Sequence, residues 1–315
     1  MKAVLQYRAS PGFRQRLQDA APEWLRIVVV DEFDTETFAK EMLDTDVLFH
    51  VAKRVTREVI EHAPKLRLIQ KLGTGVNTID LEAARSLGVA VANMPGTNSQ
   101  AVAEMTLALM FAVLRQIRVL DQSTREGRGW TLEPAVFDRG GEISGRTIGL
   151  LGSGEIPRRL APALNALGAR VLYTSRSRNE TIAAEWREFP QLLAESDILS
   201  LHIPLTAETE RMMNEKSFSQ MKPGSILVNT ARGGLVDETA LIAALKSGHV
   251  GGAGLDVHSI EPAPDTNPLF QFQSVVVTPH IAWLTPETLD RSLNAAIENC
   301  RRLRQGETLC HQVVP

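Results

Sequence analysis

Short runs rich in Val, Ile and Leu alternate with longer segments of helical period, and this alternation most constrains the fold of the chain. It is typical of βα units that build a parallel sheet, because helices cover both faces of such a sheet. The first series of runs is 4–7, 27–30, 47–50, 66–72 and 89–93. The second series is 147–151, 170–173, 198–201, 225–229, 252–257 and 275–278. The sequence therefore predicts an α/β protein with two parallel sheets.

Length and composition narrow the class of protein. A chain of 315 residues exceeds the roughly 150 residues of one domain, so two domains are expected. The net charge of −3, with no long basic run, argues against a nucleic-acid partner. The start of the chain has no signal-type apolar stretch, and two cysteines cannot form a disulfide framework or a zinc cluster. A cytoplasmic protein without a metal site is expected.

Residues 100–120 carry apolar side chains on nearly every face of one predicted helix, as a buried helix does. Glu104, Arg115 and Arg118 interrupt the segment, which argues against a membrane span. The helix is expected between domains or between subunits.

The last predicted helix, 286–305, follows the second series without a sheet of its own. It is expected to return to the first domain, which is then discontinuous.

A glycine turn follows the first strand of the second series. Gly152 permits a tight turn, and Gly154 lets the backbone approach a pyrophosphate at the N-terminus of the next helix. Pro157 occupies the place of the third glycine of the G-x-G-x-x-G pattern, where proline is tolerated in a first helical turn and looser packing is expected. The position between strand and helix indicates a dinucleotide site more strongly than the glycines alone.

The end of the second strand of this series indicates which dinucleotide is preferred. A NAD site places a carboxylate there, but residues 168–179 contain none and instead carry Ser175, Arg176 and Arg178. Arginine binds a 2′-phosphate with charge-assisted hydrogen bonds. The sequence predicts that NADP(H) is preferred over NAD(H), although a solvated basic loop is the alternative.

Three reactive side chains, Arg232, Glu261 and His280, follow ends of predicted strands. Each one alone could be a surface or core residue. Together they provide an arginine for a carboxylate, a histidine for a proton and a glutamate partner, which the reduction of a 2-keto acid requires.

The chain resembles the D-isomer-specific 2-hydroxyacid dehydrogenase family over nearly its whole length. The matching segments are GTGVNTID (73–80), VAE (102–104), GRTIGLLGSG (145–154), LHIPLT (201–206), NTARGG (229–234), GLDV (254–257), EP (261–262) and TPHI (278–281). The resemblance implies two doubly wound domains, with a Rossmann-type dinucleotide-binding domain at 99–282. This domain is inserted in a discontinuous flavodoxin-like substrate domain, 1–98 and 283–315. It also implies a homodimer. Because the chain ends soon after the last predicted helix, no appended regulatory domain is expected.

The resemblance assigns roles to individual residues. It implies Arg232 as substrate anchor, His280 as general acid and base, and Glu261 as the partner of His280. Backbone amides of Thr74 and Gly75 are implied to receive the substrate carboxylate, and Trp283 bears on pocket size. The implied cofactor site comprises Thr106, Gly152, Gly154, Glu155, Ile156, Ser175, Arg176, Arg178, His202, Pro204, Thr230, Ala231, Asp256 and His280, with Asp256 on the nicotinamide amide.

The strand end at 173–176 is similar to that of NADP-using glyoxylate and hydroxypyruvate reductases. The expected activity is NADPH-dependent reduction of a small 2-keto acid of that type to the D-2-hydroxy acid. One alternative is a dehydrogenase of another small anion, phosphite or formate; Glu261 argues against formate, because formate enzymes carry glutamine there. A second alternative is a dinucleotide-sensing interaction protein similar to the corepressor members of the family.

Overall fold

The structure is a computed structural model that describes residues 1–315, apart from the side chain of Arg139. The chain divides into two compact units, one of Met1–Asn98 with Leu284–Pro315 and one of Ser99–Trp283. The predicted division differs from this one in the assignment of Trp283.

The strands and helices follow one another in alternation. The strands are β1 (Lys2–Gln6), β2 (Arg26–Val30), β3 (Val47–His50), β4 (Leu68–Lys71), β5 (Ala90–Ala92), β6 (Thr147–Leu151), β7 (Arg170–Thr174), β8 (Glu185–Trp186), β9 (Ile198–Leu201), β10 (Ser225–Asn229), β11 (Val250–Leu255), β12 (Val275–Val277) and β13 (Gln312–Val314). The α-helices are α1 (Pro11–Ala20), α2 (Thr35–Met42), α3 (Arg57–Glu61), α4 (Leu81–Ser86), α5 (Ser99–Leu114), α6 (Ile117–Arg125), α7 (Glu155–Ala166), α8 (Phe189–Glu195), α9 (Glu215–Gln220), α10 (Glu238–Lys246) and α11 (Pro286–Gln305). Short 3₁₀ helices are Gly129–Thr131, Pro134–Arg139, Gly233–Leu235 and Pro268–Gln271.

The sheet of the first unit has the strand order β13-β5-β4-β3-β1-β2. Strands β1 to β5 pair in parallel, in the 2-1-3-4-5 order of a flavodoxin-like fold. Helix α11 belongs to this unit, and its ends are well defined: Thr285 caps its N-terminus, and Gly306 ends it at a φ of +69°. Strand β13, which the sequence did not predict, adds to the edge of the sheet antiparallel to β5.

The sheet of the second unit is parallel throughout, with the order β12-β11-β10-β9-β6-β7-β8. Numbered within the unit, the order is 3-2-1-4-5-6 with one further strand, which is the Rossmann order. The predicted fold class is therefore confirmed. The order reverses between β6 and β9, and ligands of such sheets bind at this switch point, beyond the carboxyl ends of the strands.

The prediction of one helix over residues 100–120 is wrong. Helix α5 ends at Leu114, and α6 begins after Gln116, whose φ of +50° breaks the helical path. Helix α5 packs on α7 and on the sheet of its own unit, so closely that a Cβ on Gly254 would lie 2.9 Å from Leu109 Cβ. Packing within one unit therefore accounts for much of the apolar surface of α5.

None of the helices among the described residues is long and apolar enough to cross a membrane.

Candidate active site

Strand register brings the candidate catalytic segments to one edge of the second sheet. Asn229 at the end of β10 pairs with Leu255 at the end of β11, and Leu255 pairs with Val277 at the end of β12. The segments that carry Arg232, Glu261 and His280 begin directly after these three ends. Because parallel strands end at the same edge of a sheet, the register places the starts of the three segments side by side.

The side chains of His280 and Glu261 form a hydrogen-bonded pair. His280 Nδ1 lies 2.7 Å from Glu261 Oε2, and Glu261 Oε1 accepts the backbone N–H of His258 at 3.0 Å. Partial burial raises the pKa of the Glu261 carboxyl, but the hydrogen bonds from the His280 side chain and the His258 amide outweigh it and hold that pKa below its ordinary value. The pair is open to solvent, since the His280 side chain is 40% exposed and that of Glu261 36%.

Arg232 lies close enough to this pair for electrostatic interaction with it. Burial lowers the pKa of its guanidinium, and the charge of the Glu261 carboxylate acts in the opposite direction. Asn229 fixes the turn before Arg232: its Oδ1 accepts the N–H of Ala231 at 3.0 Å, and its Nδ2 donates to the Arg232 carbonyl at 2.9 Å. The structure thus brings Arg232, Glu261 and His280 together in one unit.

Two neighbours of these residues were not identified from the sequence. Gly233 lies against the segment before Glu261, where an added Cβ would come 1.9 Å from the His258 carbonyl oxygen. Only glycine therefore fits at position 233. The His258 amide orients the Glu261 carboxylate. Both residues lie within or beside the segments that carry the family resemblance, but their roles depend on how two loops meet, which spacing does not reveal.

Asp256 holds the turn that carries His280. Its carboxylate is fully buried; Oδ1 accepts Thr278 Oγ1 at 2.6 Å and the N–H of Ile281 at 2.9 Å, and Oδ2 accepts the N–H of Ala282 at 2.9 Å. The three donors come from the chain itself. The implied contact of Asp256 with a nicotinamide amide remains a prediction.

The glycine turn fits a dinucleotide pyrophosphate. Gly152 has a φ of +120°, and an added Cβ would lie 2.5 Å from the His202 carbonyl oxygen, so the turn requires glycine. An added Cβ on Gly154 would meet nothing within 4 Å, which leaves space for a ligand. Gly154 begins α7 without a side-chain cap, so the first N–H groups of this helix are available to an anion. Pro157 is buried in the first turn of α7.

His202, at the end of β9, adds a polar atom beside this turn. Burial lowers the pKa of His202 to about 3, so the ring is neutral. Its Nε2 lies 2.8 Å from Ser200 Oγ, and its buried Nδ1 has no hydrogen-bond partner in the described part of the chain.

The other predicted cofactor residues lie around the same sheet edge. Thr106 is buried, and its Oγ1 lies 2.9 Å from Thr230 Oγ1, so Thr106 meets Thr230 rather than solvent. Glu155 in the first turn of α7 pairs with Arg158. Ser175, Arg176 and Arg178 follow β7, Ile156 is half-buried in α7, Pro204 follows β9 and Ala231 follows β10.

Two of the predicted substrate-binding residues lie in the first unit. Thr74 and Gly75 follow β4, beyond Gly73, whose φ is +145°. The Thr74 carbonyl accepts Asn93 Nδ2 at 2.8 Å, so a side chain from the end of β5 fixes this loop. Trp283, half-buried, is the last residue of the second unit. The residues described bring together no group of three or more His, Cys, Asp or Glu side chains that could hold a metal ion.

A Rossmann sheet with a glycine turn at its switch point and a histidine–carboxylate pair at the same edge defines a dinucleotide-dependent oxidoreductase. Residues 107–282 match the NAD-binding domain of the D-isomer-specific 2-hydroxyacid dehydrogenases. The glyoxylate reductase of Aeropyrum pernix is 39% identical over 280 residues, covering 86% of this chain and 84% of the relative. The chain therefore belongs to the D-isomer-specific 2-hydroxyacid dehydrogenase family.

Solved structures agree with this assignment. The TT0316 protein of Thermus thermophilus has a TM-score of 0.90 and 34% identity, with both chains covered completely. An acyclic imino acid reductase, Bsp5, in complex with NADPH and D-Arg, has a TM-score of 0.85 and 30% identity, also with both chains covered completely.

Proposed function

We propose that the protein uses NADPH to reduce a small 2-keto acid, of the glyoxylate or hydroxypyruvate type, to the D-2-hydroxy acid. The observation that carries this proposal is the 2.7 Å pair of His280 and Glu261 within electrostatic reach of Arg232. A relative named glyoxylate reductase supports the substrate class.

Arg232 is the proposed substrate anchor. Its guanidinium is largely buried. Because a buried charge is costly unless it is paired, a negatively charged substrate would stabilise it. A 2-keto acid brings a carboxylate and a carbonyl oxygen, both of which can accept from the fork of N–H groups on arginine. The amides of Thr74 and Gly75 are the second proposed carboxylate site.

His280 is the proposed general acid. Because Nδ1 is bound to Glu261, the remaining ring nitrogen, Nε2, is available to donate a proton to the oxygen on C2 as that oxygen gains charge. Glu261 stabilises the protonated ring and fixes its orientation, as the carboxylate partners of catalytic histidines do. The nicotinamide, when bound, supplies the hydride to C2. In the reverse direction, neutral His280 accepts the proton of the hydroxyl group.

The preference for NADPH rests on Arg176. It follows the end of β7, where a NAD enzyme carries a carboxylate, and its side chain is exposed. The structural relative in complex with NADPH indicates that this fold accommodates the additional phosphate.

We also infer a cytoplasmic homodimer. Three large apolar side chains between residues 117 and 137 are exposed, Ile117, Trp130 and Phe137, the tryptophan by 86%. A second copy of the chain would remove this apolar surface from water. Both cysteines are free thiols, as is usual in a reducing compartment.

The alternatives make different demands on the site. A formate enzyme resembles this pattern with glutamine at the place of Glu261, and glutamine carries no charge to stabilise a protonated histidine. A dinucleotide-sensing protein needs the glycine turn but not the His280–Glu261 pair. The presence of the complete acid–base pair favours catalysis.

The deciding experiment measures NADPH oxidation with a panel of glyoxylate, hydroxypyruvate and bulkier 2-keto acids, and repeats it with NADH. We expect turnover of a small 2-keto acid, a higher kcat/KM with NADPH, and a loss of about 10²- to 10⁴-fold in kcat for His280→Ala. Reduction of no member of the panel, with phosphite or formate oxidised instead, would replace the proposal. Cofactor binding without any turnover would favour the sensing protein.

A further inference from the structure

The loop after β7, residues 175–179, is fixed by hydrogen bonds at its far end. The hydroxyl group of Tyr173 accepts the backbone N–H of Asn179 at 2.8 Å and donates to the carbonyl oxygen of the same residue at 3.1 Å. Tyr173 is only 3% exposed. One buried phenol on β7 therefore holds both backbone groups of Asn179.

The side chain of Asn179 joins this loop to the glycine turn. Its Nδ2 donates to the carbonyl oxygen of Ser153 at 3.0 Å, between Gly152 and Gly154. Its Oδ1 accepts the N–H of Thr181 at 3.0 Å and Thr181 Oγ1 at 2.7 Å, which fixes the orientation of the amide. Asn179 thus links the turn suited to a pyrophosphate with the loop that carries the two arginines.

The two arginines of the loop differ in their surroundings. The guanidinium of Arg178 lies over the ring of Trp186 on β8, 4.5 Å from the ring centroid, which is a cation–π contact. Within the loop, Ser175 Oγ donates to the Ser177 carbonyl at 2.6 Å. Arg176, between these two serines, makes no side-chain hydrogen bond or ion pair among the described residues, and the charge that acts on it is that of the Glu208 carboxylate.

We infer that Asn179 is a positioning residue for cofactor specificity. It sets the position of Arg176 relative to the glycine turn. It therefore sets the distance between the site for a pyrophosphate and the site for a 2′-phosphate. This inference rests on the proposed preference for NADPH. A loop ordered before binding loses less conformational entropy when the phosphate arrives, and the hydrogen bonds of Asn179 provide that order.

The expected effect is selective for the 2′-phosphate. The pyrophosphate site consists of Gly152, Gly154 and the N-terminus of α7, and neither the positive φ of Gly152 nor the uncapped end of the helix depends on Arg176. Release of the loop therefore weakens ligands that carry a 2′-phosphate and changes other ligands little. Tyr173→Phe and Asn179→Ala both release the loop, but only the second removes the hydrogen bond to Ser153.

The test compares the binding of adenosine 2′,5′-bisphosphate and 5′-AMP by calorimetry, because these probes differ only in the 2′-phosphate. We expect about 3- to 10-fold weaker binding of the bisphosphate to Asn179→Ala and Tyr173→Phe, with 5′-AMP binding within about twofold of the wild type. Asn165→Ala is the matched control, since Asn165 Nδ2 also donates to a backbone carbonyl, that of Ala183, outside this loop. Hydrogen exchange of the 175–181 amides is expected to accelerate in the two loop variants and not in the control.

The outcomes separate the inference from the proposed function. A wild type that binds both probes equally overturns the NADPH preference and, with it, the specificity role of Asn179. The wild type could prefer the bisphosphate while the loop variants keep this preference, or bind both probes more weakly by the same factor. Either result overturns the inference alone. Unchanged hydrogen exchange in both loop variants likewise excludes the ordering role.

Discussion

Asp256 holds His280 through its backbone: the carbonyl oxygen of Asp256 accepts the N–H of His280 at 2.7 Å. The carboxylate of Asp256 at the same time binds the next two amides, those of Ile281 and Ala282. His280 has a φ of +57°, a left-handed conformation that is uncommon for residues other than glycine. Asp256 therefore stabilises the unusual backbone that presents the imidazole beside Glu261.

The first prediction concerns this anchoring. Asp256→Asn replaces one acceptor oxygen by an NH₂ group, which would face a donor N–H or hydroxyl group of the 278–282 turn. An unsatisfied buried donor costs about 1–3 kcal/mol, so we expect a lower Tm together with a fall in kcat. Thermal unfolding and steady-state kinetics measure both. A variant with wild-type Tm and kcat would contradict the anchoring role.

The second prediction concerns Glu261→Gln, which keeps the shape of the side chain and removes its charge. The carboxylate orients the His280 ring and stabilises the positive charge of its acid form, so its loss should lower kcat for keto-acid reduction by more than it raises KM. Steady-state kinetics of keto-acid reduction test this. Glu36→Gln, at an exposed ion pair of the first unit, is the control; an unchanged kcat in Glu261→Gln would exclude the pairing.

Stability should show the ionisation of Glu261, whose carboxylate also accepts the His258 amide. The folded state lowers the pKa of Glu261, so its contribution to the free energy of unfolding is present above the pKa of the unfolded chain. This contribution is lost as pH falls through the folded-state pKa. The difference in Tm between wild type and Glu261→Gln should therefore shrink from neutral pH towards about pH 3. A difference that grows on acidification would contradict the sign of this pKa shift.

The third prediction compares two adjacent glycines. A Cβ at Gly233 would lie 1.9 Å from the His258 carbonyl oxygen, a backbone atom, whereas a Cβ at Gly234 would lie 2.8 Å from Leu205 Cδ2, the end of a flexible side chain. We expect Gly233→Ala to destabilise the protein by about 3 kcal/mol or more and to reduce activity, and Gly234→Ala to have a smaller effect. Chemical denaturation measures both variants. Equal losses would mean that the backbone at position 233 moves aside more easily than expected.

The fourth prediction concerns Glu208, which lies just outside the segment 201–206 that carries part of the family resemblance. A hydrogen bond from Thr206 and the positive charge of Arg176 help to lower the pKa of the Glu208 carboxyl. A carboxylate near Arg176 competes for this cation with a 2′-phosphate and repels the phosphate. Glu208→Gln should therefore lower KM for NADPH by about two- to fivefold and change KM for NADH less. A higher KM for NADPH would show that Glu208 aids phosphate binding.

The sequence predicted the features that depend on local pattern. The bounds of α11 were predicted to the residue, because Pro286 begins it and Gly306 follows it. The break at Gln116 was missed, since neither glycine nor proline marks it. Strand β13 was missed because three residues pair with β5 more than 200 positions earlier in the chain. In the candidate site, Arg232, Glu261 and His280 were predicted from the sequence. The hydrogen bond from Asn179 to Ser153 was not predicted, because it depends on how β6 and β7 align.

The left-handed backbone of His280 also implies a trade between stability and activity. Asparagine adopts this conformation more readily than histidine but cannot act as an acid near neutral pH, and the exposed pair with Glu261 contributes little to stability. His280→Asn should therefore unfold at the same temperature as the wild type or a higher one while its turnover is lost. A substitution that lowered Tm instead would mean that the imidazole is held for stability. If His280→Asn keeps or raises Tm as expected, selection for thermal stability alone would favour the removal of this side chain, and only selection for turnover would keep it.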